Sequence, residues 1–338
     1  MKIAIVKLSA LGDIVHAMVA LQFVKQALPQ IEIDWLVEER FAGVLQDNPD
    51  INQILTVNLK SLKANKLNLF SEIKKLRKYA KNNYDLVIDA QGLIKSAITA
   101  RLLSAKPLSA NSAGFDKNSS REKAAAYLYK NTVASPYDAN TIDRNVAVIA
   151  KPLGFEISEQ QILNKAAFIF YKESDEQLNQ YFKKDQANIL FVIGSTWASR
   201  NYPKEQYLKV IQGLNANSLI IWGNEQEQQS AQWIAERSDK AKVLPKLDFN
   251  QLKMVLARSD LVIGNDTGPT HMAWGLNKPS ITLFGPTPVS RVYQTPINKV
   301  IKSPSIVNPL KLNKNDFSIK AIKVQAIIDL AQSLLGHN

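Results

Sequence analysis

The sequence predicts an α/β protein with two doubly wound parallel sheets, and three observations lead to this prediction. Short apolar runs alternate with stretches of helical periodicity along the chain. Some of these runs, such as Ala4–Val6 and Leu86–Ile88, are continuously apolar, as expected of parallel strands that helices cover on both faces. The length of 338 residues exceeds one typical domain, so two domains of this kind are expected.

In the first half of the chain, strand and helix patterns alternate in the order of βαβ units. The β-rich runs are Ile3–Val6, Ile31–Val37, Ile54–Val57 and Asp85–Ala90. Helical spacing of apolar residues lies near residues 14–28, 68–82 and 93–103. This order predicts parallel pairing of the strands and a first domain over residues 1–160.

The second half repeats the alternation. Its β-rich runs are Ile189–Ile193, Ser218–Trp222, Leu261–Ile263 and Ser280–Phe284, and its helical stretches lie near residues 204–214, 225–238 and 248–258. A junction is expected near residues 151–166, with a new strand at Ala167–Phe170, so the second domain is predicted over residues 161–315. The remaining segment, 316–338, contains an amphipathic helix that we expect to pack back toward the first domain.

The residue types and motifs of the chain exclude several classes of protein. There is no cysteine, and the three histidines, His16, His271 and His337, are scattered, which argues against disulfides, zinc sites and a histidine metal cluster. No apolar run reaches the roughly 20 residues of a membrane span, so we expect a soluble protein. The signatures of P-loop NTPases, dinucleotide dehydrogenases and serine hydrolases are missing. Because there is no Asp-x-Asp pair, a bound divalent metal is not expected, and fixed cations and helix dipoles are expected to stabilise negative charge in its place.

Positive charge is concentrated in one part of the chain. The net charge is +12, and residues 51–150 hold 16 Lys/Arg against 7 Asp/Glu. Most of this excess lies in residues 60–81, where Glu72 is the single acid. The basic residues of this segment are Lys60, Lys63, Lys66, Lys74, Lys75, Arg77, Lys78 and Lys81. The run is either a solvated helix face or a surface that attracts phosphate, carboxylate or anionic lipid. No nucleic-acid partner is expected, because no zinc-finger or RNA-recognition signature accompanies the charge.

Ligands of open α/β sheets bind at the carboxyl ends of the strands, so the turns after the strands carry the candidate residues. After the first strand, Gly12 allows a ligand to approach the backbone, and Asp13 is either a helix cap or a general base for an attacking hydroxyl. After the strand at 85–90, Asp89 and Gln91 can hydrogen-bond a sugar, and Lys95 can pair with an anion. The alternative for this second turn is capping of the helix that follows it.

The loop that follows the first strand of the second half has the composition of a diphosphate site. Ser195 and Thr196 supply hydroxyl donors, and Arg200 supplies a guanidinium that pairs with anions in a bidentate manner. A surface loop of the same composition, without a ligand, is the alternative.

The turn after Leu261–Ile263 is the most specific local signal. Small residues lead from the strand into a helix, and the backbone N–H groups of Thr267 and Gly268 can form an anion cradle at the helix N-terminus. Asp266 would repel a phosphate, so it is either the helix cap or an acceptor for sugar hydroxyls.

Taken together, these segments resemble the lipopolysaccharide heptosyltransferases of glycosyltransferase family 9, and type I more than type II. The resemblance rests on Ile5–His16, Asp34–Glu39, Asp89–Ser96, Trp222–Gly223, Asp266–Gly268 with His271, and Phe284–Thr287. It implies the GT-B fold of two Rossmann-like domains with a cleft between them. It also implies inverting, metal-independent transfer of L-glycero-D-manno-heptose from ADP-heptose to the first Kdo sugar of Kdo2-lipid A.

The resemblance further implies catalytic and donor-binding residues. Asp13 resembles the base that deprotonates the Kdo hydroxyl, and Arg200, the second catalytic candidate, stands where the family commonly has lysine. Glu227, or its neighbour Glu225, resembles the carboxylate that holds the ribose. The donor-binding set is Ser195, Thr196, Arg200, Trp222, Glu227, Asp266, Thr267, Gly268 and His271.

On the acceptor side, the resemblance gives the basic segment a target. Kdo carboxylates and lipid A phosphates are clustered negative charges, and each surface lysine contributes about 1 kcal/mol to membrane attraction. The expected acceptor-binding residues are Gly12, Lys60, Lys63, Lys66, Gln91, Lys95 and Arg121. We expect a cytoplasmic monomer that contains no metal or other cofactor and associates peripherally with the inner membrane. The alternatives are a type II-like transferase with another acceptor and a non-catalytic protein that binds anionic lipids.

Overall fold

The computed structural model describes residues 1–61, 68–173 and 176–336. The chain divides into two compact units, Met1–Phe170 and Tyr171–Asn338. Within the described residues, each unit contains one sheet of six parallel strands with helices connecting them. The predicted fold class, two doubly wound parallel α/β sheets, is confirmed.

The first unit is built around β1, the central strand of its sheet. The strands are β1 (Lys2–Val6), β2 (Glu32–Glu38), β3 (Gln53–Val57), β4 (Leu86–Asp89), β5 (Ser112–Phe115) and β6 (Asn131–Val133). Their order in the sheet is β3-β2-β1-β4-β5-β6. The helices are α1 (Leu11–Met18), α2 (Ala20–Ala27), α3 (Ala42–Leu45), α4 (Asn68–Tyr79), α5 (Ile94–Leu103), α6 (Thr141–Ala150) and α7 (Glu159–Leu163).

The pairing of β1 with β4 brings two predicted turns together. Val6, the last residue of β1, pairs with Asp89, the last residue of β4. All residues of β4 and the last four of β1 are buried, as the apolar runs predict. Because parallel strands end at the same edge of a sheet, the turns that carry Asp13 and Gln91 are neighbours in space.

The second unit repeats this arrangement. Its strands are β7 (Asn188–Val192), β8 (Asn217–Ile221), β9 (Ala241–Val243), β10 (Leu261–Asn265), β11 (Ser280–Phe284) and β12 (Asn298–Lys302), in the sheet order β12-β11-β10-β7-β8-β9. Its helices are α8 (Lys204–Gly213), α9 (Glu225–Ala235), α10 (Phe249–Arg258), α11 (Gly268–Gly275) and α12 (Val324–Leu335). Here β7 and β10 are central and adjacent, so the loops after them meet at one edge of the sheet.

The junction between the units lies later than the sequence predicts. The boundary falls after Phe170 rather than after residue 160. Ala167–Phe170, which the apolar pattern predicts as a new strand, is not in a strand. Instead, Phe168 and Ile169 are buried, and the Phe168 carbonyl accepts a hydrogen bond from Asn48 of the first unit at 3.2 Å. The segment is apolar because it covers the first unit.

The C-terminal helix contributes to the core of the second unit. The apolar face of α12, with Ile327, Ile328, Ala331 and Leu334, lies in the hydrophobic core of the second unit. At the end of α8, a Cβ built on Gly213 would lie 2.4 Å from the Cδ1 atom of Ile328, so the absence of a side chain there permits the close approach. The buried face of α12 thus belongs to the core of the second unit, and packing of this helix toward the first domain stays a prediction.

No helix in the described part of the chain is long and apolar enough to cross a bilayer.

Candidate functional site

Asp13 lies in the first turn of α1, at the carboxyl edge of the first sheet. It is the third helical residue, and its Oδ2 atom accepts a hydrogen bond from the backbone N–H of Ala10 at 3.3 Å. Ala10, not Asp13, is the N-cap residue, so the simple capping interpretation is corrected. The side chain is partly exposed, and the unpaired N–H groups of the helix start stabilise its negative charge. A partly exposed carboxylate at this edge can accept a proton.

Gln91 connects the second turn to the loop that leads to Asp13. Its Oε1 atom accepts hydrogen bonds from the backbone N–H groups of Leu8 and Ser9, both at 3.1 Å. The oxygen of this side chain is therefore used within the protein, which the prediction of a direct acceptor contact did not anticipate. Only the amide nitrogen is left to contact a ligand, and the main effect of Gln91 is to hold Leu8 and Ser9 in place.

Asp89 is a buried structural group rather than a sugar-binding one. It accepts hydrogen bonds from the Ser96 hydroxyl at 2.7 Å, the Tyr129 hydroxyl at 2.6 Å and the Gln91 backbone N–H at 2.8 Å. Burial raises the pKa of Asp89, and these donors counteract the rise. Asp89 is fully buried, so the suggested hydrogen bond to a sugar hydroxyl is replaced by a role in shaping the turn.

Lys7 is a residue that the sequence interpretation missed. It directly follows β1 and is buried, and its ammonium donates to the Ala90 carbonyl at 2.7 Å and to the Asn145 side-chain oxygen at 2.8 Å. Burial lowers the pKa of Lys7, while the negative charges of Asp13 and Asp89 oppose that change. A lysine at the end of an apolar run was the available signal, because buried lysines are rare unless they are paired.

The predicted basic residues occupy different positions. Lys60, Lys95 and Arg121 are exposed, and Lys95 lies in the first turn of α5. Lys63 and Lys66 lie outside the described residues. A second missed residue, the buried Glu38 at the end of β2, has a pKa that burial raises and that the charge of Lys95 and the backbone N–H of Lys60 lower. Lys60 and Lys95 thus share an acidic neighbour at the carboxyl edge of the sheet.

Asp266 organises the corresponding edge of the second sheet. It accepts hydrogen bonds from the Thr287 hydroxyl at 2.7 Å and from Arg200 Nη1 at 3.2 Å, and it lies 2.9 Å from His271 Nε2. Burial alone would raise the pKa of Asp266, but the His271 hydrogen bond and the positive charges of Arg291 and Arg200 hold it well below its usual range. Asp266 is therefore an ionised carboxylate that holds Arg200.

Arg200 also joins this carboxylate to the loop after β7. Its Nη2 atom donates to the Thr196 hydroxyl at 2.5 Å, and its guanidinium stacks on the Trp197 ring with 4.7 Å to the centroid. The side chain is 11% exposed, so the guanidinium is shielded from most of the solvent. The neighbouring Ser195 hydroxyl is buried and has no hydrogen-bond partner among the described residues. A buried hydroxyl without a partner needs an explanation, and a polar ligand bound at this loop would supply one.

The helix N-terminus predicted as an anion cradle is present at the same edge. Thr267 is the N-cap residue of α11 and Gly268 its first residue, so Asp266 is not the cap. His271 lies one turn further along α11, where it contacts Asp266. The N–H groups at the start of this helix can therefore add to the positive charge of Arg200.

Glu227 lies against the end of β7. Its carboxylate accepts hydrogen bonds from the Gly223 backbone N–H and the Asn224 side chain, both at 2.7 Å. A Cβ built on Gly194 would lie 2.0 Å from the Glu227 carboxyl carbon, so the carboxylate fills the space of a missing side chain. Glu227 and Ser195, but not Glu225, line a cavity of about 190 Å³, which favours Glu227 as the functional acid.

Trp222 has a more structural position. Its indole N–H donates to the Leu244 carbonyl at 2.8 Å, so the donor of this side chain is used within the protein. The ring follows β8 and is partly buried. Its contribution to a ligand would come from the ring face rather than from the N–H.

Two groups of predicted residues are thus assembled, one in each unit. In a comparison with known protein families, the model of glycosyltransferase family 9 (heptosyltransferase) matches residues 73–315, which is most of the chain. This protein belongs to glycosyltransferase family 9. The predicted resemblance to this family is confirmed.

Individual relatives agree with the family. Lipopolysaccharide heptosyltransferase 1 of Campylobacter coli is 36% identical over 350 residues, which covers 99% of this chain and 99% of that relative. The enzyme of the same name from Escherichia coli K12 is 31% identical, over 85% of this chain and 88% of the relative. Among solved structures, E. coli heptosyltransferase WaaC with ADP-2-deoxy-2-fluoro heptose has a TM-score of 0.78 and 26% identity, covering 98% of this chain and 99% of that chain.

In this family 9 glycosyltransferase, Gln91 provides a test of how the loop before Asp13 is held. We expect Gln91→Leu to lower kcat by about tenfold to a hundredfold, because a small displacement of a reacting group costs this much. Two backbone N–H groups would also lose their acceptor, at about 1–3 kcal/mol each, which lowers Tm. In Gln91→Glu, a carboxylate oxygen still accepts both hydrogen bonds, so kcat and Tm should stay near wild type.

The glutamate variant distinguishes the clamp from direct acceptor binding. If Gln91 acts through its amide nitrogen on the acceptor, Gln91→Glu should raise KM for the acceptor as strongly as Gln91→Leu does. Steady-state kinetics and thermal unfolding of both variants measure this difference. Equal losses in the two variants would contradict the clamp.

Proposed function

We propose that this glycosyltransferase moves L-glycero-D-manno-heptose from ADP-heptose to the first Kdo sugar of Kdo2-lipid A, with inversion of the anomeric centre. The observation that carries the proposal is the cluster of Arg200, Thr196 and Asp266 beside the N-terminus of α11. This cluster fixes a cation and N–H donors at the edge where a nucleotide diphosphate binds in a doubly wound sheet. The relatives named lipopolysaccharide heptosyltransferase 1 support the choice of sugar and acceptor.

On the donor side, each group has a distinct role. Arg200 and the first N–H groups of α11 stabilise the charge that develops on the ADP leaving group. The hydroxyls of Ser195 and Thr196 donate to the diphosphate oxygens. Glu227 accepts from the ribose hydroxyls, consistent with its place on the cavity after β7. Asp266 keeps Arg200 and His271 oriented, since both contact its carboxylate.

On the acceptor side, Asp13 takes the proton of the Kdo hydroxyl while the oxygen of that hydroxyl attacks the anomeric carbon of the heptose. A single displacement of this kind breaks the bond from the anomeric carbon to the diphosphate oxygen and inverts the configuration. Gly12 leaves room for the acceptor next to the backbone, and Lys60, Lys95 and Arg121 are exposed cations that can attract the Kdo carboxylates. Peripheral association with the cytoplasmic face of the inner membrane would present the lipid-linked acceptor.

The reaction is proposed to need no divalent cation. A fixed guanidinium at the leaving group supplies the charge that a metal ion would otherwise supply. Arg200 is suited to this because Asp266 and Thr196 both hold it, so it does not need to reorganise during the reaction. Turnover should therefore persist in the presence of a chelator.

The test is ADP release from ADP-heptose by the purified protein with Kdo2-lipid A as acceptor, with the product configuration read by NMR. We expect release with Kdo2-lipid A, and none with an acceptor that lacks Kdo. Release only with an acceptor that already carries heptose would favour a type II-like transferase. Absence of release with every acceptor, together with retained binding to anionic lipid, would favour the non-catalytic alternative.

A further inference from the structure

We propose that the outer face of α5 and the adjoining segment 121–127 form a membrane-docking surface that inserts apolar side chains into an anionic bilayer. This surface, termed the α5 patch, consists of Ile94, Lys95, Ile98, Arg121, Lys123 and Tyr127. It deepens the proposed function by naming the surface through which the enzyme meets its lipid-linked acceptor.

The apolar part of the α5 patch begins on α5 itself. Ile94 and Ile98 lie one helical turn apart and are 40% and 47% exposed. The opposite face of α5 is already apolar, with Ala97, Ala100 and Leu103 fully buried. A helix that only covered a sheet would present polar residues outward, so the two exposed isoleucines are not explained by the fold.

A second element extends this apolar face. The short 3₁₀ helix Lys123–Leu128 packs along α5, and the Ile94 backbone N–H donates to the Glu122 carboxylate at 2.7 Å. These contacts fix the segment 121–127 beside the first turn of α5. Tyr127 is 78% exposed there, and tyrosine is enriched where proteins meet the membrane–water interface.

The surrounding charge selects an anionic lipid surface as the occupant. Lys95, Arg121 and Lys123 are all exposed on the same two segments as the apolar side chains, with Glu122 as the acidic neighbour. Residues 68–130, which span α4 to this segment, contain 12 Lys/Arg and 5 Asp/Glu. Stable binding to a membrane surface takes two signals. One is a set of apolar side chains that insert into the bilayer, and the other is a set of flanking cations that attract lipid phosphates.

The location of the α5 patch fits the use of a membrane-bound acceptor. Ile94 opens α5 directly after the turn of Gln91, which holds the loop before Asp13. A bilayer seated on the patch would bring lipid phosphates next to Lys95 and Arg121. The reactive end of the acceptor would then lie at the carboxyl edge of the first sheet, where Asp13 is.

The test measures binding to vesicles of phosphatidylethanolamine and phosphatidylglycerol by co-sedimentation. The double variant Ile98→Ser/Tyr127→Ser should bind at least about tenfold more weakly, because it removes the inserting side chains. Lys123→Ala should weaken binding about fivefold at low salt. Leu108→Ser is the matched control: Leu108 is 94% exposed but lies at the opposite end of α5, and its loss should leave binding unchanged.

Kinetics separate this inference from the proposed function. The double variant should keep wild-type kcat and KM with a water-soluble acceptor that lacks acyl chains, and should show a raised KM with acceptor embedded in vesicles. Wild-type vesicle binding by the double variant, with Tm unchanged, overturns the α5 patch even if heptose transfer is found. Vesicle binding that depends on the patch, without heptose transfer to any acceptor, supports the patch and overturns the proposed function.

Discussion

Replacing Asp13 with asparagine is expected to lower kcat by about 10²–10⁴-fold, the usual contribution of a general base. Asparagine cannot take the proton of the attacking hydroxyl. Its amide oxygen can still accept the hydrogen bond from Ala10 that Asp13 accepts at 3.3 Å, so the start of α1 should remain folded. Donor affinity should change little, because the proposed donor residues are in the second unit.

Asp143 offers a matched control for this variant. It is also the third residue of a helix in the first unit, α6, and it is partly exposed like Asp13. Asp143→Asn removes the same charge from an equivalent helix position, so it should keep wild-type kcat. Initial rates of ADP release, together with ADP binding by calorimetry, measure both variants. A wild-type kcat in Asp13→Asn would exclude Asp13 as the base.

Replacing Arg200 with methionine is expected to lower kcat by about 10²–10³-fold, comparable to the loss of one charge-stabilising donor in other enzymes. The guanidinium is 11% exposed and contacts both Asp266 and Thr196, so its charge acts in a shielded place and from a fixed position. Methionine has a similar length but no charge, so the leaving group would lose its cation.

Arg200→Lys separates charge from geometry. Lysine keeps the positive charge, but its single ammonium lacks the planar fork that here reaches Asp266 and Thr196 together. We expect an intermediate kcat, above that of Arg200→Met. Arg258→Met is the control in the same unit, because Arg258 pairs with the exposed Glu173 and such surface pairs contribute little. Unchanged turnover in Arg200→Met, checked by ADP release, would contradict the role of Arg200.

The sequence predicts the central strands well and the short ones poorly. β1, β4, β7 and β10 are apolar runs buried on both faces, and this pattern is strong enough to be recognised without neighbours. By contrast, β6 and β9 have three residues each and contain Asn131 and Lys242. Such strands form because the neighbouring strand at the sheet edge supplies hydrogen-bond partners. The sequence of the short strand itself does not show that this neighbour is there.

The same distinction applies to the candidate site. Asp266 follows β10 directly, and Asp13 and Arg200 lie in the segments after β1 and β7, so the rule for strand ends is enough to single out these segments. The clamp by Gln91 depends on Leu8 and Ser9, which are 83 and 82 residues away in the chain. Lys7 likewise meets Asn145 across 138 residues. Only the pairing of β1 with β4 and the packing of α6 create these contacts.

The core that receives the C-terminal helix is likewise not readable from local sequence. Amphipathicity predicts that α12 has a buried face, but it does not say which core receives it. The core of the second unit receives this face, with Ile328 lying against Gly213, and a glycine at the end of α8 is also expected as an ordinary helix terminator. Its second role becomes visible only when the packing is known.

The contact between Gly194 and Glu227 has an evolutionary consequence. A methyl group at position 194 would meet the flexible end of the Glu227 side chain, so the carboxylate, and not the backbone, would have to move. A lineage that gained a side chain at 194 would turn the acid at 227 away from its place and lose the hydrogen bond that steadies Gly223. Glycine at 194 therefore keeps the acid at 227 on the wall of the cavity after β7.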